Sequence, residues 1–340
     1  MYSLQQAIDK SEKGFLLLDG AMGTNLFERG LLSGDEPALW NRDQPEKIQS
    51  VHEEFIDNGA EVVLTNSFGA NPFRLKLHKA EHQVAVLNTM AVENVKKAIA
   101  KKSKGRHIFI GGDIGPSGEI LMPLGSLDEK DALQGFGAQI KALDDAGADF
   151  IWIETMSAIE EVAVIVKMAD KIVAKKNLVV TMTFDTNGKT MMGISPEKAV
   201  EQLLGLSHNI VAFGINCGKS PAESIYSLWQ WQNHLANMNI KNPPWLVAKA
   251  NRGVPKYIDG KFEFDGSFEL MQSYGQLAFA LGARLIGGCC GTDGKTLKAI
   301  DMGAMAESAS PKFPDRSAIN PDIIQKTLGK IPDNILHPKF

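Results

Sequence analysis

The sequence predicts an α/β protein built as a (β/α)8 TIM barrel with a C-terminal extension. Eight short apolar runs recur along the chain, and they start roughly 30 to 45 residues apart, as repeated βα units do. Their continuous apolar character fits parallel strands that are buried on both faces. A doubly wound open sheet is the alternative. Eight strands favour the barrel, and the DGAMGT that follows the first run lacks the glycine spacing of a dinucleotide-binding turn.

The predicted strands span residues 15–20, 61–68, 107–114, 149–155, 177–185, 210–217, 244–251 and 284–291. Apolar residues at helical spacing predict helices over 45–60, 130–148 and 267–283, and a glycine near the end of each is a typical stop signal. We assign residues 1–307 to the barrel. Prolines become frequent in 308–340, which predicts an extension outside the barrel. This extension has two alternative interpretations. It either contacts a neighbouring subunit in a homo-oligomer or is a loosely attached tail.

The composition is that of an ordinary globular protein, with 44% hydrophobic and 22% charged residues among 340. A net charge of -4 with scattered Lys and Arg argues against a nucleic-acid partner, which would need a basic face. No segment approaches the ~20 apolar residues that span a membrane. The first residues lack the apolar stretch of a secretory signal, so we expect a cytoplasmic protein whose thiols stay reduced.

The three cysteines all fall at predicted strand ends, where barrels of this type place their chemistry. Cys217 ends the sixth strand, and Cys289 and Cys290 end the eighth. Because only one strand separates these two, the thiols can reach one metal ion. Three thiolates with an open fourth position are typical of a reactive zinc site, although a free cysteine is often just a core residue. Redox chemistry is a further alternative, but no Cys-x-x-Cys spacing is present.

Other polar residues also follow the predicted strands. Glu154 comes after the apolar FIWI, and a carboxylate there either pairs with an internal Lys or Arg or receives a substrate ammonium. Asp19 follows the first strand in the same way. The backbone amides from Gly20 to Thr24 can hold a carboxylate, as consecutive amides near a turn do. Asn66 lies in the group of polar residues that ends the second strand.

Six motifs are distributed over about residues 14–300: DGAMGTNLF (19–27), LTNSFG (64–69), GDIGPSGE (112–119), WIETMS (152–157), GINCG (214–218) and GGCCGT (287–292). In sequence and in order they resemble the motifs of the homocysteine S-methyltransferase family. The combination of GGCCGT with an upstream NC is highly specific. Within the family, residues 19–41, 64–80 and 191–196 are most similar to bacterial betaine–homocysteine S-methyltransferases.

The resemblance implies a zinc-dependent enzyme that methylates the thiol of homocysteine to give methionine. It implies that Zn2+ is bound by Cys217, Cys289 and Cys290. The homocysteine-binding residues that we expect are Asp19, Gly20, Thr24, Asn66, Ser67 and Glu154. The donor is expected to be a small cation, with glycine betaine first and a sulfonium such as dimethylsulfoniopropionate or S-methylmethionine as the alternative. A methyl group from a separate corrinoid protein, and a zinc-binding protein without turnover, are the remaining alternatives.

The donor side of the expected site departs from part of the family. Animal betaine enzymes have a tyrosine after the Phe of the second-strand motif and another after the Glu of the fourth, whereas this chain has Gly69 and Thr155. Trp40 matches an aromatic residue that is expected at the donor site, since cationic methyl groups are held against aromatic faces. Phe68 and Phe184 are further donor-site candidates, and core packing would explain either of them equally well.

Overall fold

A parallel eight-stranded sheet, rolled into a nearly closed barrel, forms the centre of the molecule. The computed structural model describes residues 4–254, 256–258 and 261–337. The barrel strands are β1 (Leu16–Leu17), β2 (Val62–Leu64), β3 (Phe109–Ile114), β4 (Phe150–Met156), β5 (Leu178–Met182), β6 (Ile210–Cys217), β7 (Trp245–Ala250) and β10 (Ala283–Gly288). Their order in the sheet is β1-β10-β7-β6-β5-β4-β3-β2. The predicted (β/α)8 TIM barrel is therefore confirmed.

The seam between β1 and β2 is closed by single hydrogen bonds rather than by a regular ladder. The backbone N–H of Glu61 donates to the carbonyl of Leu17 at 2.8 Å. The carboxylate of Glu61 accepts from the N–H of Leu17 at 3.1 Å. At the other end of the seam, Asp19 Oδ2 accepts from the N–H of Leu64 at 2.8 Å. Two side chains thus complete the ring of strands.

Helices follow the strands around the outside of the barrel. They are α1 (Leu4–Lys10), α2 (Met22–Phe27), α3 (Trp40–Asp43), α4 (Pro45–Asp57), α5 (Pro72–Lys76), α6 (Val84–Lys102), α7 (Glu129–Asp145), α8 (Ile159–Ile172), α9 (Pro196–Leu204), α10 (Pro221–Asn237), α11 (Phe268–Ala280), α12 (Gly294–Ala309), α13 (Pro321–Leu328) and α14 (Asp333–Leu336). Residues Lys256–Ile258 (β8) and Lys261–Glu263 (β9) pair as an antiparallel hairpin after β7. None of the described helices has the length and apolar character needed to cross a membrane.

Side-chain caps begin several of the long helices. Asp128, Ser195, Ser220, Ser267 and Asp293 each accept a hydrogen bond from a backbone N–H of the first turn that they precede. Such caps satisfy N–H groups that have no partner inside the helix. The predicted stop glycines also adopt the left-handed conformation that favours glycine, with φ of +106° at residue 59, +92° at residue 147 and +97° at residue 282. Local sequence therefore sets where the chain turns back toward the next strand.

Helix α1 closes the N-terminal end of the barrel. Leu4 and Ile8 pack into a cluster of buried residues that the strands direct into the barrel, among them Leu16, Phe109 and Trp152. A larger apolar cluster fills the space between the strands and the outer helices. Apolar side chains thus fill the interior of the barrel at its N-terminal end.

The C-terminal tail packs on the barrel of its own chain. Helix α12 runs past the predicted boundary and ends at Ala309. Beyond it, Ile319 and Ile324 are buried in the main apolar cluster. The indole N–H of Trp229, in α10, donates to the carbonyl of Ile319 at 2.8 Å. Docking on the same chain is an arrangement that the sequence analysis did not consider, while the division at 307/308 and a role in oligomerisation stay predictions.

Candidate active site

Three cysteine thiols meet at the carboxyl end of the barrel. Cys217 is the last residue of β6, and Cys289 and Cys290 directly follow β10. The sulfur atoms of Cys217 and Cys289 are 3.1 Å apart, and all three sulfur atoms lie within 4.8 Å of one another. Three thiolates bound to one zinc ion, at Zn–S distances of ~2.3 Å, lie about 3.8 Å apart. The donor set therefore fits a soft divalent metal and leaves one coordination position open.

Asn251, directly after β7, ties the two cysteine-bearing loops together. Its Oδ1 accepts from the N–H of Cys290 at 2.8 Å. Its Nδ2 donates to the carbonyl of Gly218 at 2.6 Å, and its own N–H donates to the carbonyl of Cys217 at 3.2 Å. Through its side chain and its backbone, the buried Asn251 thus connects the two loops from the end of the strand that lies between β6 and β10.

The thiol at the end of β6 is presented by an unusual backbone turn. Cys217 has a φ of +56°, in the left-handed region that few non-glycine residues adopt, and Gly218 follows at +79°. The hydroxyl of Ser224 donates to the carbonyl of Cys217 at 3.0 Å, which holds this turn against α10. Strained backbone of this kind persists where the surroundings over-determine it, and it is concentrated at functional sites.

The thiols influence one another's ionisation. The hydrogen bond that the Cys217 thiol donates to Cys289 raises the pKa of Cys217 well above its ordinary value. The hydrogen bonds from Cys217 and Cys289 lower the pKa of Cys290 well below its ordinary value. The cluster therefore favours one thiolate, on Cys290, to which the two neighbouring thiols donate.

A buried group of charges lies inside the barrel next to the thiols. Lys249 Nζ, on β7, is 3.1 Å from Asp19 Oδ1 and 3.6 Å from Glu154 Oε2. The indole N–H of Trp152 donates to Glu154 Oε2 at 3.1 Å. Burial lowers the pKa of Lys249, but Asp19 and Glu154 raise it more, so the pKa is above its ordinary value and the ammonium is charged. The internal pairing considered for Glu154 is thus present.

A third carboxyl group, that of Asp113, joins this group from β3. It is buried, and within the described part of the chain its Oδ1 has no hydrogen-bond partner. Burial, and then the charge of Glu154, raises the pKa of Asp113 well above its ordinary value. Burial likewise raises the pKa of Glu154 to about 7, although Lys249 opposes this. Three carboxyl groups thus surround one ammonium, and an additional positive charge would be stabilised there.

The sequence analysis did not include Lys249 or Asp113 among its site residues. Both occupy the carboxyl ends of apolar strands, as Asp19 and Glu154 do. Asp19 and Glu154 were identified because each is a charged residue at the end of an apolar run, and the same pattern holds for Lys249 and Asp113. What the sequence lacked was the direction of each side chain, which depends on the register of the closed barrel.

The segment from Gly20 to Thr24, which leads into the first turn of α2, contacts the turn that carries two of the cysteines. Thr24 Oγ1 accepts from the N–H of Gly291 at 3.2 Å, and the N–H of Ala21 donates to the carbonyl of Thr292 at 3.1 Å. A Cβ at Gly20 would lie 2.5 Å from the Thr292 carbonyl oxygen, so only glycine allows this close approach. The predicted homocysteine loop and the cysteine turn are therefore direct neighbours.

Asn66 and Ser67 are buried and make hydrogen bonds within the protein. Asn66 Nδ2 donates to the carbonyl of Pro37 at 2.8 Å, and Ser67 Oγ donates to the carbonyl of Asp113 at 2.7 Å. These bonds join the loop after β2 to β3 and to the segment before α3. A direct contact of either side chain with homocysteine stays a prediction.

The three aromatic candidates for the donor site have different surroundings. Trp40 is half-buried, and Lys47 Nζ lies 4.5 Å from the centre of its ring. Phe68 covers Gly115, where a Cβ would be 2.5 Å from its ring. Phe184 is 4% exposed and packs edge-to-face against Trp231 with ring centres 5.9 Å apart. Their contact with a donor stays a prediction.

An open cavity of about 500 Å³ lies directly beside the thiol cluster. Its lining comes from the loops after β4, β5, β6 and β7: Thr155, Ser157, Thr183, Asp185, Thr186, Asn187, Met191, Cys217, Gly218, Lys219, Asn251 and Val254. Cys217 thus borders this cavity on the solvent side, while the buried charges lie toward the barrel interior. Such a volume is in the range of small-molecule sites.

Comparison with known proteins identifies the family. The family profile described as homocysteine S-methyltransferase matches residues 16–303, which covers the barrel from β1 to α12. The chain belongs to the homocysteine S-methyltransferase family. Methyl transfer to homocysteine is the activity that this membership supports, and the predicted family is confirmed.

Curated relatives agree with this membership. A homocysteine S-methyltransferase of Escherichia coli (strain K12) is 29% identical over an alignment of 324 positions that covers 87% of this chain and 97% of the relative. A methionine synthase of Mycobacterium leprae (strain TN) is 25% identical over an alignment of 291 positions that covers 81% of this chain. The match covers only 23% of that methionine synthase, so the chain corresponds to one part of the larger protein.

Solved structures of family members superpose on the barrel. The metallated form of the homocysteine methyltransferase MmuM from Escherichia coli has a TM-score of 0.72 at 25% identity, with 88% of this chain and 98% of that chain covered. The oxidised form of the same protein gives a TM-score of 0.71 at 25% identity. A metallated neighbour and a cluster of three thiols at metal-binding distances support a metal centre in this member of the family.

Proposed function

We propose that the protein transfers a methyl group from a cationic small molecule to the thiol of homocysteine, giving methionine, with Zn2+ held by Cys217, Cys289 and Cys290. Glycine betaine is the first donor that we propose. The observation that carries the proposal is the convergence of three thiols, within 4.8 Å of one another, between a buried group of charges and an open cavity. The interior group suits an amino acid, and the cavity suits a second small molecule.

Soft thiolate ligands favour zinc over magnesium or calcium. When bound, zinc supplies an open position that keeps a substrate thiol deprotonated at neutral pH, where a free thiol with a pKa near ~8.5 is largely protonated. The residues that would hold the ion are fixed from both sides, by Asn251 and by the turn at Cys217. An ion at this place would face the cavity and the interior at once.

The proposed homocysteine site uses the charges inside the barrel. Glu154 and Asp19 would receive the substrate ammonium, whose positive charge would favour the ionised forms of carboxyl groups whose pKa burial raises. The amides from Gly20 to Thr24, apart from that of Ala21, which donates to Thr292, would hold the substrate carboxylate. Asn66 and Ser67 would position this loop region through the bonds that link β2 to β3.

The transfer is a displacement at carbon in which charge is conserved. The homocysteine sulfur, as a thiolate, forms a bond to one methyl carbon of the donor. The bond from that carbon to the donor nitrogen breaks, and its electron pair stays on nitrogen, so that glycine betaine becomes dimethylglycine. The thiol proton leaves to solvent when the sulfur is bound. Proximity of two bound substrates supplies much of the rate enhancement in such a step.

Other sources of the methyl group lead to different expectations. A sulfonium donor such as dimethylsulfoniopropionate or S-methylmethionine carries the same activating charge and would use the same cavity. A separate corrinoid protein would need a docking surface, and no turnover with small donors alone would be expected. A zinc-binding protein without turnover would have no use for the buried carboxylates beside the thiols. The cavity of about 500 Å³ beside Cys217 favours a small donor.

The test is methionine formation by the purified, zinc-loaded protein. Homocysteine would be offered with glycine betaine, dimethylsulfoniopropionate or S-methylmethionine as the sole methyl donor, beside a metal-stripped sample. Turnover with one donor that disappears with the metal supports the proposal and names the donor. Absence of turnover with all three, in protein that still binds zinc and homocysteine, rejects the direct mechanism and favours a corrinoid partner.

The remaining partners follow from the same chemistry. We propose a cytoplasmic location, since an active site of three free thiols requires reducing conditions. The proposed partners are homocysteine and the methyl donor, with no nucleic acid and no membrane. We also propose a homo-oligomer in which the exposed residues of the tail beyond α12 contact a second subunit.

A further inference from the structure

The cavity beside Cys217 carries charges of both signs that the reaction described above does not use. Asp185 follows β5, and Lys219 follows β6 two positions after Cys217. Both line the cavity. In the described part of the chain, neither side chain forms an ion pair within 4.0 Å. A carboxylate and an ammonium that share a cavity, without neutralising each other, are available to a ligand.

A buried carboxylate lies behind these two residues. Glu223, in the first turn of α10, is 9% exposed, and its Oε2 has no hydrogen-bond partner among the described residues. Burial raises the pKa of Glu223, the charge of Lys219 lowers it and the charge of Asp185 raises it. Lys219 and Asp185 are therefore both close enough to Glu223 to influence its ionisation.

The other lining residues suit methyl groups and a polar ligand. Met191 and Val254 supply exposed apolar surface. Thr155 lines the cavity at the position where animal betaine enzymes have a tyrosine, so the cavity lacks the aromatic side chain that would face a cation there. A cation can be held by a ring face or by a carboxylate. Here the carboxylate of Asp185 is the group present.

We propose that this cavity is the methyl-donor subsite and that it recognises a zwitterion, with Asp185 facing the cationic, methyl-bearing end and Lys219 facing a carboxylate. The ligand class is a small onium compound with a carboxylate, such as glycine betaine or dimethylsulfoniopropionate. This proposal rests on the proposed function, because it assigns the donor of that reaction. It identifies Asp185 and Lys219 as specificity-determining residues.

The proposed subsite requires a carboxylate on the ligand, and this requirement distinguishes it from a site that only attracts cations. Choline has the quaternary ammonium of glycine betaine but a hydroxyl group in place of the carboxylate. The subsite should therefore bind glycine betaine more tightly than choline, and Lys219 should be the source of that preference. A merely structural role of Lys219 would weaken both ligands alike.

The experiment is calorimetric titration of the zinc-loaded protein with glycine betaine, dimethylsulfoniopropionate and choline, in parallel with the turnover assay. The variants are Asp185→Asn and Lys219→Gln. Matched controls are Asp145→Asn and Lys141→Gln, which make the same charge changes on an exposed i,i+4 pair of α7. Thermal unfolding and zinc content check that each variant is folded and loaded.

We expect Lys219→Gln to lower the affinity for the carboxylate-bearing donors about tenfold, which corresponds to ~1.4 kcal/mol. The affinity for choline should not change. Asp185→Asn should weaken all three ligands by about the same factor, with the KM for homocysteine unchanged. Equal affinities of wild type and both variants, or no saturable binding of a carboxylate-bearing donor to wild type, would overturn the subsite. Donor binding with these variant effects but without turnover would uphold the subsite and reject the proposed reaction.

Discussion

Lys249 and Asp19 form a buried ion pair, with Nζ and Oδ1 3.1 Å apart, that links β7 to β1 across the intervening β10. The other oxygen of Asp19 accepts from the N–H of Leu64, so the same carboxylate also closes the seam with β2. Both side chains are almost fully removed from solvent, with 3% and 5% exposed. The carboxylate of Asp19 therefore has two roles: it helps to close the barrel between β1 and β2, and it pairs with the buried ammonium of Lys249.

Replacing Lys249 by Met should strongly destabilise the protein. The substitution leaves the carboxylates of Asp19 and Glu154 buried without their cation, and breaking a buried pair in this way costs ~3–5 kcal/mol. The loss should be largest at pH 8 and smaller at pH 5, because burial raises the pKa of both carboxyl groups and they take up protons as the pH falls. Urea unfolding at the two pH values measures it. Lys141→Met, on the surface, is the control, and a loss as small as the control's would contradict this assignment.

Replacing Cys217 by Ala should remove metal and activity together while the fold remains. The side chain lies at the rim, and the packing of the barrel is provided by the apolar clusters instead. We expect zinc content well below one per chain, no methionine formation, and an unchanged circular dichroism spectrum. All three cysteines lie in the cluster, so Cys289→Ala serves as a second test of the same kind. A Cys217→Ala protein that keeps both zinc and turnover would refute the metal assignment.

The sequence predicted the fold and the rim positions because both follow from periodicity and strand count. Strand lengths were overestimated where side chains intervene. The second strand ends at Leu64 rather than near residue 68, because Ser67 turns back to bond the carbonyl of Thr65 and Thr65 Oγ1 binds the N–H of Asp113. Helix α1 was missed since its role, to cover the barrel end, depends on a tertiary contact.

Only those parts of the site could be predicted that depend on a residue's type and on its position at the end of a strand. The cysteines were assigned together because their spacing and flanking glycines are unusual. The role of Lys249 was not predicted, since a lysine at a strand end faces the interior or the helices depending on register. The cavity with Asp185 and Lys219 was not predicted either, because four different loops form it. Such features arise from loop geometry that local sequence does not encode.

The affinity for homocysteine should depend on the ionisation of Glu154. Burial raises the pKa of this carboxyl group to about 7, so that below this pH it is protonated and cannot pair with the substrate ammonium. Binding then requires release of a proton, and the affinity should fall by about tenfold per pH unit below pH 7. Titration with methionine, which has no thiol proton, isolates this effect from ionisation of the thiol.

The matching variant is Glu154→Gln. At pH 8 it should bind methionine more weakly by ~1.5–3 kcal/mol, the contribution of a hydrogen bond to a charged group. Between pH 8 and pH 6 its affinity should change less than that of wild type. A wild-type affinity that stays constant over this range, or a variant with the wild-type pH profile, would remove Glu154 from the amino-acid site.

Replacing Trp40 by Ala tests whether the donor site extends beyond the cavity beside Cys217, which Trp40 does not line. If it extends to the loop after β1, the substitution should weaken binding of the methyl donor more than binding of homocysteine. The ring is half-buried, and Lys47 Nζ lies over its face at 4.5 Å from the ring centre, where a cationic donor would have to displace it. Phe184→Ala is an informative comparison, because Phe184 is enclosed and packs on Trp231, and its removal should cost ~3–5 kcal/mol of stability. Steady-state KM values for both substrates, with urea unfolding, distinguish the two cases. Equal losses for donor and homocysteine in Trp40→Ala would exclude Trp40 from the donor site.

The docking of the tail should depend on one hydrogen bond from the barrel. In Trp229→Phe, the carbonyl of Ile319 loses the indole N–H that donates to it at 2.8 Å, while most of the aromatic surface that stacks on Tyr226 is kept. The loss of a single hydrogen bond of this kind is ~1 kcal/mol. We therefore expect faster proteolytic cleavage within residues 310–320, with the methyltransferase activity retained. Trp245→Phe, at the start of β7 and against the interior cluster, is the control and should be cleaved there at the wild-type rate. If both variants are cleaved alike, the tail is held by its buried apolar residues and the Trp229 bond contributes nothing measurable.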